Sequence, residues 1–172
     1  MAERIEASGR RLTRLRRISI RQFLEEFRNT VEAEAVNSFW ESRKNGKLRS
    51  RAEKHGQEIL GVFSSAKLRS RGAAIREATS GTGFVDLVVT FSSGLIHLVE
   101  LKMLKGSTQL GPQQLATYMK HKRRKEGWLV YFDARKHSKR PPVAPAITVK
   151  PGTIRTIVVD INPIAPSKIR AR

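Results

Sequence analysis

Two apolar runs separated by a short turn constrain the fold of this chain most strongly. Residues 84–91 read Phe-Val-Asp-Leu-Val-Val-Thr-Phe, and residues 95–102 read Leu-Ile-His-Leu-Val-Glu-Leu-Lys. Residues 92–94, Ser-Ser-Gly, lie between them and contain the glycine typical of a hairpin turn. The pattern predicts an antiparallel β-hairpin. If the turn is centred on its second residue, Asp86 faces Glu100 on the neighbouring strand.

The charged residues Asp86, Glu100 and Lys102 lie inside these apolar runs, where charge is costly unless it is paired. Side chains alternate between the faces of a strand, so Glu100 and Lys102 are predicted to point the same way. Two carboxylates this close repel each other, and one takes up a proton unless a cation lies between them. Oxygen ligands suit Mg²⁺ or Mn²⁺, which complete their shells with water and phosphate oxygens. We therefore predict a metal site in which Lys102 orients or deprotonates an attacking water.

A structural alternative is open for the same charges. Asp86 and Lys102 could form a plain ion pair at the end of the sheet, with Glu100 solvated where its strand emerges. Apolar residues on both faces of the two runs favour a central position in the sheet, where an idle ion pair is seldom stabilising. The functional interpretation is favoured for that reason.

The order of these residues resembles the PD-(D/E)XK nuclease superfamily, which contains many restriction endonucleases and Holliday junction resolvases. The resemblance covers residues 50–134 and implies an α/β fold with a restriction-endonuclease-like αβββαβ core, in which helices flank a central mixed sheet. It implies a Mg-dependent phosphodiesterase, with a DNA endonuclease as the first choice. Asp86 and Glu100 would be metal ligands, the carbonyl of Leu101 would join the metal shell, and Lys102 would be the catalytic lysine.

One position departs from the family pattern, and one ligand is ambiguous. The family's Pro before the Asp is Val85 here, a variation that removes no catalytic group. The family also places a Glu on the helix before the strands, which is predicted to begin near Ser50. Glu53 fits a capping box with Ser50, so the resemblance points to Glu58 as a metal or water ligand, although a solvated surface role is equally open. Glu77, in the first predicted strand, is a further candidate.

A second helix is predicted to start at Gly111-Pro112, because Pro is favoured at the first helical position. Gln114 and Tyr118 resemble a Gln-Leu-x-x-Tyr arrangement that the family presents near its active site, although core packing is open for Tyr118. Basic residues crowd the end of this helix, and Gly127 could close its last turn. The predicted nucleic-acid contacts are Lys105, Tyr118, Lys120, Lys122, Arg123, Arg124 and Lys125.

The composition favours a polyanionic partner. The chain has 34 Lys and Arg against 15 Asp and Glu, a formal net charge of +19 and a sequence pI of about 11.3. Residues 1–71 and 134–172 each carry a net +8, whereas residues 72–133 carry +3. Basic flanks around a nearly balanced core suit a protein whose phosphate contacts supply affinity while its core supplies chemistry. DNA is a more natural substrate than RNA under the family resemblance.

The chain of 172 residues is long enough for one core with extensions. Residues 1–49 are predicted to hold a basic arm and a long amphipathic helix over 19–42, residues 50–134 the nuclease core, and residues 135–172 a basic, Pro-rich connection, mobile or extended, with a C-terminal strand and tail. The apolar stripe of the long helix could pack on the core or against a second copy, so a homodimer is possible.

Several classes of function are disfavoured by what the sequence lacks. The chain has no cysteine, which excludes disulfides, thiol nucleophiles and Cys-based zinc sites. No apolar run reaches membrane-spanning length and no signal peptide is recognisable, so we expect a soluble, cytoplasmic protein without a membrane partner. Two alternatives to a DNA endonuclease stay open: a non-catalytic nucleic-acid-binding protein on a nuclease-like scaffold, and a ribonuclease or toxin effector that uses the same site.

Overall fold

Helices and strands alternate along the chain, as expected for an α/β protein. The computed structural model describes residues 18–80, 83–91, 94–104, 111–135 and 141–163. In chain order, its helices and strands are α1 (Ile20–Thr30), β1 (Trp40–Ser42), β2 (Lys47–Leu48), α2 (Ala52–Leu68), β3 (Gly72–Ser80), β4 (Gly83–Phe91), β5 (Ile96–Leu104), α3 (Pro112–His121), β6 (Glu126–Asp133), β7 (Ala146–Val149) and β8 (Gly152–Asp160).

The larger of the two sheets has six strands in the order β3-β4-β5-β6-β8-β7. β3, β4 and β5 form an antiparallel meander, β5, β6 and β8 are parallel, and β7 is antiparallel to β8 at the edge. Parallel neighbours need a crossover connection, and α3 lies in the one between β5 and β6. The predicted α/β class, with a mixed sheet flanked by helices, is confirmed.

The helices cover both faces of this sheet. Along β5, Val99 and Leu101 belong to the core that contains α1 and α2, whereas Leu98 and Leu104 belong to the core that contains α3. This alternation follows from the pleat of the strand. Because β5 is covered on both faces, a charged side chain that points from it lies in a protein interior. No helix in the described ranges is long and apolar enough to cross a membrane.

The N-terminal helix is shorter than the sequence predicts. Residues 19–42 are predicted to form one helix, but α1 ends at Thr30 and is followed by a π-helical segment, Val31–Ala35, and a 3₁₀ turn, Val36–Phe39. Tertiary contacts at the far end explain the difference. The Phe39 ring lies 5.0 Å from that of Phe132, and Trp40 Nε1 donates a hydrogen bond to the Ile161 carbonyl at 2.7 Å. Such tertiary contacts outweigh the helical preference of this stretch of sequence. The apolar residues of α1 pack on the chain's own core.

The start of α1 is held by the predicted capping signal. Ser19 Oγ accepts a hydrogen bond from the Gln22 main-chain N–H, and Gln22 Oε1 accepts one from the Ser19 N–H. We expect Ser19→Ala to lower the free energy of unfolding by about 1 kcal/mol, measured by urea denaturation. Ser65→Ala, at an exposed position in the last turn of α2, is the matched control and should change stability by less than about 0.5 kcal/mol. Equal losses in the two variants would contradict the role of the cap.

The Pro-rich connection contains one element that the sequence analysis did not predict. Within residues 135–151, Ala146–Val149 form β7, which pairs with β8. Thr156, on the facing strand β8, also holds this segment in place. Its Oγ1 donates a hydrogen bond to the Ala144 carbonyl, and its main-chain N–H donates one to the Pro145 carbonyl. A four-residue strand with three prolines just before it has too little periodicity to be recognised from sequence.

Candidate active site

The β4–β5 hairpin has the predicted register. Its pairs run from Thr90 opposite Ile96 to Leu87 opposite Val99, one residue before Asp86 and Glu100. At this point the side chain of Asp86 joins the two strands, because its Oδ2 accepts a hydrogen bond of 2.7 Å from the Leu101 main-chain N–H. Asp86 is thereby fixed at the middle of the sheet, next to the Glu100-Leu101-Lys102 triplet.

Helix α2 adds two polar side chains to this position. Gln57 Nε2 donates to Asp86 Oδ1 at 2.7 Å. Glu53 Oε2 accepts a hydrogen bond of 3.0 Å from the Met103 main-chain N–H, and Glu53 Oε1 lies 3.4 Å from Lys102 Nζ. Residues four apart lie on the same face of a helix, so one face of α2 supplies both contacts. The group thus contains five side chains, from α2, β4 and β5.

Glu100 is the most unusual member of the group. Its side chain is fully buried, with 0% exposure. Lys102 Nζ forms an ion pair with Oε1 at 2.8 Å. Burial, and then the charge of Asp86, raise the pKa of Glu100 to about 7, against the lowering effect of Lys102. A fully buried carboxylate beside a second acid is costly to ionise even with Lys102 as its ion-pair partner, so this position favours an added cation or proton.

Lys102 keeps its proton at neutral pH. Burial works to lower its pKa, but the contact with Glu100 and the charges of Glu53 and Asp86 outweigh burial, so the pKa is raised. The start of α3 packs on its side chain, because a Cβ on Gly111 would lie 2.9 Å from Lys102 Cγ. Gly111 also has a φ of +111°, which a residue with a side chain rarely adopts. The ammonium group is therefore held in place, with 16% of the side chain exposed.

The solvated alternative for Glu100 is wrong, since that side chain is buried in the sheet. The structure also puts Glu53, rather than Glu58, beside Lys102. The Glu58 side chain is 52% exposed and lies 3.9 Å from His55 Nδ1. The predicted capping box that gave Glu53 another role is absent: α2 begins at Ala52 with Arg51 as N-cap and no side-chain hydrogen bond there. A start two residues later leaves the Glu53 carboxylate free to reach β5.

The predicted pair on α3 forms a contact of its own. Gln114 Nε2 donates to Tyr118 Oη at 2.7 Å. The Tyr118 ring is buried with Leu115 and Met119, which agrees with the core-packing alternative. Gln114 is exposed in the first turn of α3, the turn that follows Gly111. The pair is thus near the helix start that packs on Lys102.

The basic end of α3 is exposed as predicted, except for Arg124, which is half-buried. The turn after the helix is closed by Arg123, with a φ of +51°, and Gly127 lies instead in β6. A Cβ on Gly127 would lie 2.8 Å from Met119 Sδ, so that glycine serves packing. Lys105 and the side chain of Glu77 lie outside the described residues. The exposed cations of this end are Lys120, Lys122, Arg123 and Lys125.

Sequence reasoning missed Gln57 and Gly111 as members of the site, and it ranked Glu53 below Glu58. The spacing of Glu53 and Gln57, four residues apart on a helix that precedes the strands, was the available signal for these two side chains. Gly111 carried only the signal of a helix boundary. Its closeness to Lys102 depends on the crossover between β5 and β6, which a local pattern does not contain.

Comparison with known proteins places the chain in a family without assigning an activity. A domain of unknown function, DUF8371, matches residues 18–136, which is more than half of the chain. No curated protein matches the chain, and no solved structure matches it. The matched segment runs from the start of α1 to just beyond β6, so it includes all five side chains of the site. The chain belongs to the DUF8371 family.

Proposed function

We propose that this protein is a metal-dependent nuclease that hydrolyses phosphodiester bonds, with DNA as the favoured substrate. The buried carboxylate of Glu100 beside Asp86 carries the proposal, because it is ionisable, fully buried and next to a second acid. The order α2-β3-β4-β5-α3-β6 also agrees with a restriction-endonuclease-like αβββαβ core. Asp86 and Glu100 stand on adjacent strands of that core, as the resemblance to PD-(D/E)XK nucleases requires.

The donor set fits a divalent cation with hard oxygen ligands. No group of three His, Cys, Asp or Glu side chains is arranged to hold a metal in the part of the chain that the structure describes. Two carboxylates suit Mg²⁺ or Mn²⁺ nevertheless, because these ions keep several waters and bind through one or two carboxylates plus substrate phosphate. Asp86 and Glu100 would hold the ion, and the Leu101 carbonyl would be a further ligand. When bound, it would activate water and polarise the phosphate.

Lys102 acts as a fixed cation in this proposal. Its raised pKa keeps Nζ protonated, so it donates hydrogen bonds and does not remove a proton. A donor held at this place can orient the attacking water and offset the negative charge that builds up on the phosphoryl oxygens. Glu53 holds Nζ from the α2 side, and Gln57 holds Asp86. The attack on phosphorus then takes place between β5 and the start of α3.

The substrate class follows from charge. The net charge of +19 favours binding to any nucleic acid through its phosphates. The exposed cations at the end of α3 provide one contact surface, and together with the Gln114–Tyr118 pair they place α3 along the proposed path of the strand. Such contacts position the backbone without reading its sequence.

One assay tests the proposal directly. Purified protein is incubated with Mg²⁺ or Mn²⁺ and single-stranded DNA, duplex DNA, branched DNA or RNA, with Asp86→Asn as the control. We expect metal-dependent cleavage of at least one DNA substrate by the wild type and none by the variant. Cleavage of RNA alone would indicate the ribonuclease alternative, and equal cutting by both proteins would contradict the assignment of Asp86.

A non-catalytic role is the second candidate, and one observation favours it. Both carboxylate oxygens of Asp86 already accept hydrogen bonds, from Gln57 and from the Leu101 N–H, as a purely structural aspartate would. This alternative predicts tight, salt-sensitive binding of nucleic acid, no cleavage with any divalent metal, and unchanged binding by Asp86→Asn. The same four substrates and the same variant separate the two functions.

Glu53 provides a further prediction for the helix side of the site. We expect Glu53→Gln to lower the cleavage rate by about 10- to 100-fold, the usual cost of removing a partner that orients a catalytic group. Glu58→Gln should not lower the cleavage rate. Glu34→Gln is the control, because Glu34 is exposed in the segment that follows α1, and it should leave the rate unchanged. Steady-state cleavage of a fluorescent oligonucleotide measures all three. A loss in Glu58→Gln as large as that in Glu53→Gln would reverse the assignment.

A further inference from the structure

A pocket of about 360 Å³ opens at the start of α2, away from the candidate active site. It is formed by the segment after β2 together with the first two turns of the helix. Its lining is polar, and three of its six residues are permanently cationic. The lining residues are Arg49, Ser50, Arg51, Lys54, His55 and Glu58.

The charge of this pocket is not balanced from within. Glu58 is its single acid, against three cations. Arg51 and Lys54 are exposed, and neither has a carboxylate within 4.0 Å among the residues that the structure describes. Excess positive charge concentrated in a concave surface attracts anions.

The frame of the pocket is fixed by the main chain and by Ser38. Arg49 Nε donates to the Ser38 carbonyl at 2.6 Å, and His55 Nε2 lies 2.8 Å from Ser38 Oγ. These two contacts tie the segment after β2 and the helix to the same residue. These contacts fix the shape of the pocket without involving the side chains of Arg51 and Lys54.

We propose that this pocket binds a phosphate group of the nucleic-acid backbone, on the same strand as the phosphate that reaches the candidate active site. The inference rests on the proposed function and extends it to a second contact point. Lys54 and Arg51 lie one and two positions from Glu53, so the pocket and the site are separated by about one helix diameter, roughly 10–12 Å. A strand that passes over the first turns of α2 contacts both.

Phosphate suits this lining better than other anions do. Arginine presents planar, paired donors that match phosphate oxygens, and lysine adds a mobile point charge. The pocket lacks the apolar lining that an acidic peptide would need for its other side chains. The formal net charge of +19 also steers the whole molecule towards long polyanions and not towards isolated carboxylates.

Binding of fluorescent DNA in EDTA tests this inference without cleavage. The double variant Arg51→Ala/Lys54→Ala is compared with Lys44→Ala/Lys150→Ala, which removes the same charge from two exposed positions outside the pocket. We expect the pocket variant to bind about tenfold more weakly, and the slope of log affinity against log salt to fall by about 1. The control should change both quantities much less. Circular dichroism checks folding, and Arg51→Gln/Lys54→Gln is the second variant.

The outcomes separate this inference from the proposed function. Equal losses of DNA affinity in the pocket and control variants overturn the inference. A loss of affinity by the pocket variant only for a 5′-phosphorylated strand, or only for an acidic peptide, also overturns it, because the ligand is then not a backbone phosphate. Inorganic phosphate is tested as a competitor, and competition that is lost in the pocket variant supports the site. If the pocket effect is present but no metal supports cleavage, the nuclease proposal fails alone. If cleavage is present without the pocket effect, only the inference fails.

Discussion

Lys102→Ala is expected to lower the cleavage rate by at least about 10²- to 10³-fold while leaving nucleic-acid binding nearly unchanged. The ammonium group of Lys102 is held between Glu100 and Glu53, and its raised pKa keeps it charged where negative charge builds up on the phosphate. Its loss removes stabilisation of the transition state and only one of 34 cations. Single-turnover cleavage and binding in EDTA measure the two effects separately.

Two further variants make this experiment specific. Lys44→Ala removes one exposed cation from the turn between β1 and β2, and it should leave cleavage unchanged. Lys102→Arg keeps the charge but changes its shape, so we expect partial activity at most. Since loss of Lys102 leaves Glu100 buried without its cation, thermal unfolding must show that Lys102→Ala is folded. Near-normal, metal-dependent cutting by folded Lys102→Ala would remove the lysine from the mechanism.

Glu100→Gln is expected to abolish metal-dependent cleavage and to flatten the pH dependence of stability. Below about pH 4.5 the Glu100 carboxyl is protonated in both the folded and the unfolded chain. Between 4.5 and its folded pKa of about 7, the unfolded chain releases the proton first, so the free energy of unfolding falls as pH rises. Above pH 7 the loss is complete, and it amounts to about 3 kcal/mol.

Urea denaturation of wild type and Glu100→Gln at several pH values measures this difference. We expect the wild type to lose about 3 kcal/mol more than the variant between pH 4.5 and pH 8. At pH 8, Mg²⁺ at 100 times its dissociation constant should return about 2.7 kcal/mol to the wild type and nothing to the variant. Parallel pH profiles for the two proteins would contradict a buried carboxylate with a raised pKa at this position.

The hairpin and its three charges could be predicted from sequence because the information is local. Two runs with period 2 and a glycine-containing turn determine the register of the hairpin, whose pairs end one residue before Asp86 and Glu100. The three charged residues could be recognised as candidate site residues because they lie within apolar runs. The end of α1 was not predictable in this way, since Phe39 and Trp40 leave the helix for contacts with Phe132 and Ile161, more than 90 residues away.

The helix side of the site depends on detail that local patterns do not fix. Each residue along a helix turns the side chain by about 100°, so the choice between Glu53 and Glu58 rests on where α2 begins and how it lies on the sheet. The apparent capping box predicted that Glu53 would contact Ser50 at the start of the helix, but the N-cap is Arg51 and no side-chain hydrogen bond caps α2. Gln57 and Gly111 carry no chemical signal until the fold brings them to Asp86 and Lys102.

One hydrated cation held by Asp86 and Glu100 is the central requirement of the proposed nuclease. Anomalous diffraction from crystals soaked in Mn²⁺ locates that ion directly. We predict a peak within about 2.0–2.2 Å of oxygens from both carboxylates, and no such peak in crystals of Asp86→Asn. Well-ordered crystals of the wild type that bind Mn²⁺ only elsewhere, with Glu100 still unliganded, would contradict the central claim.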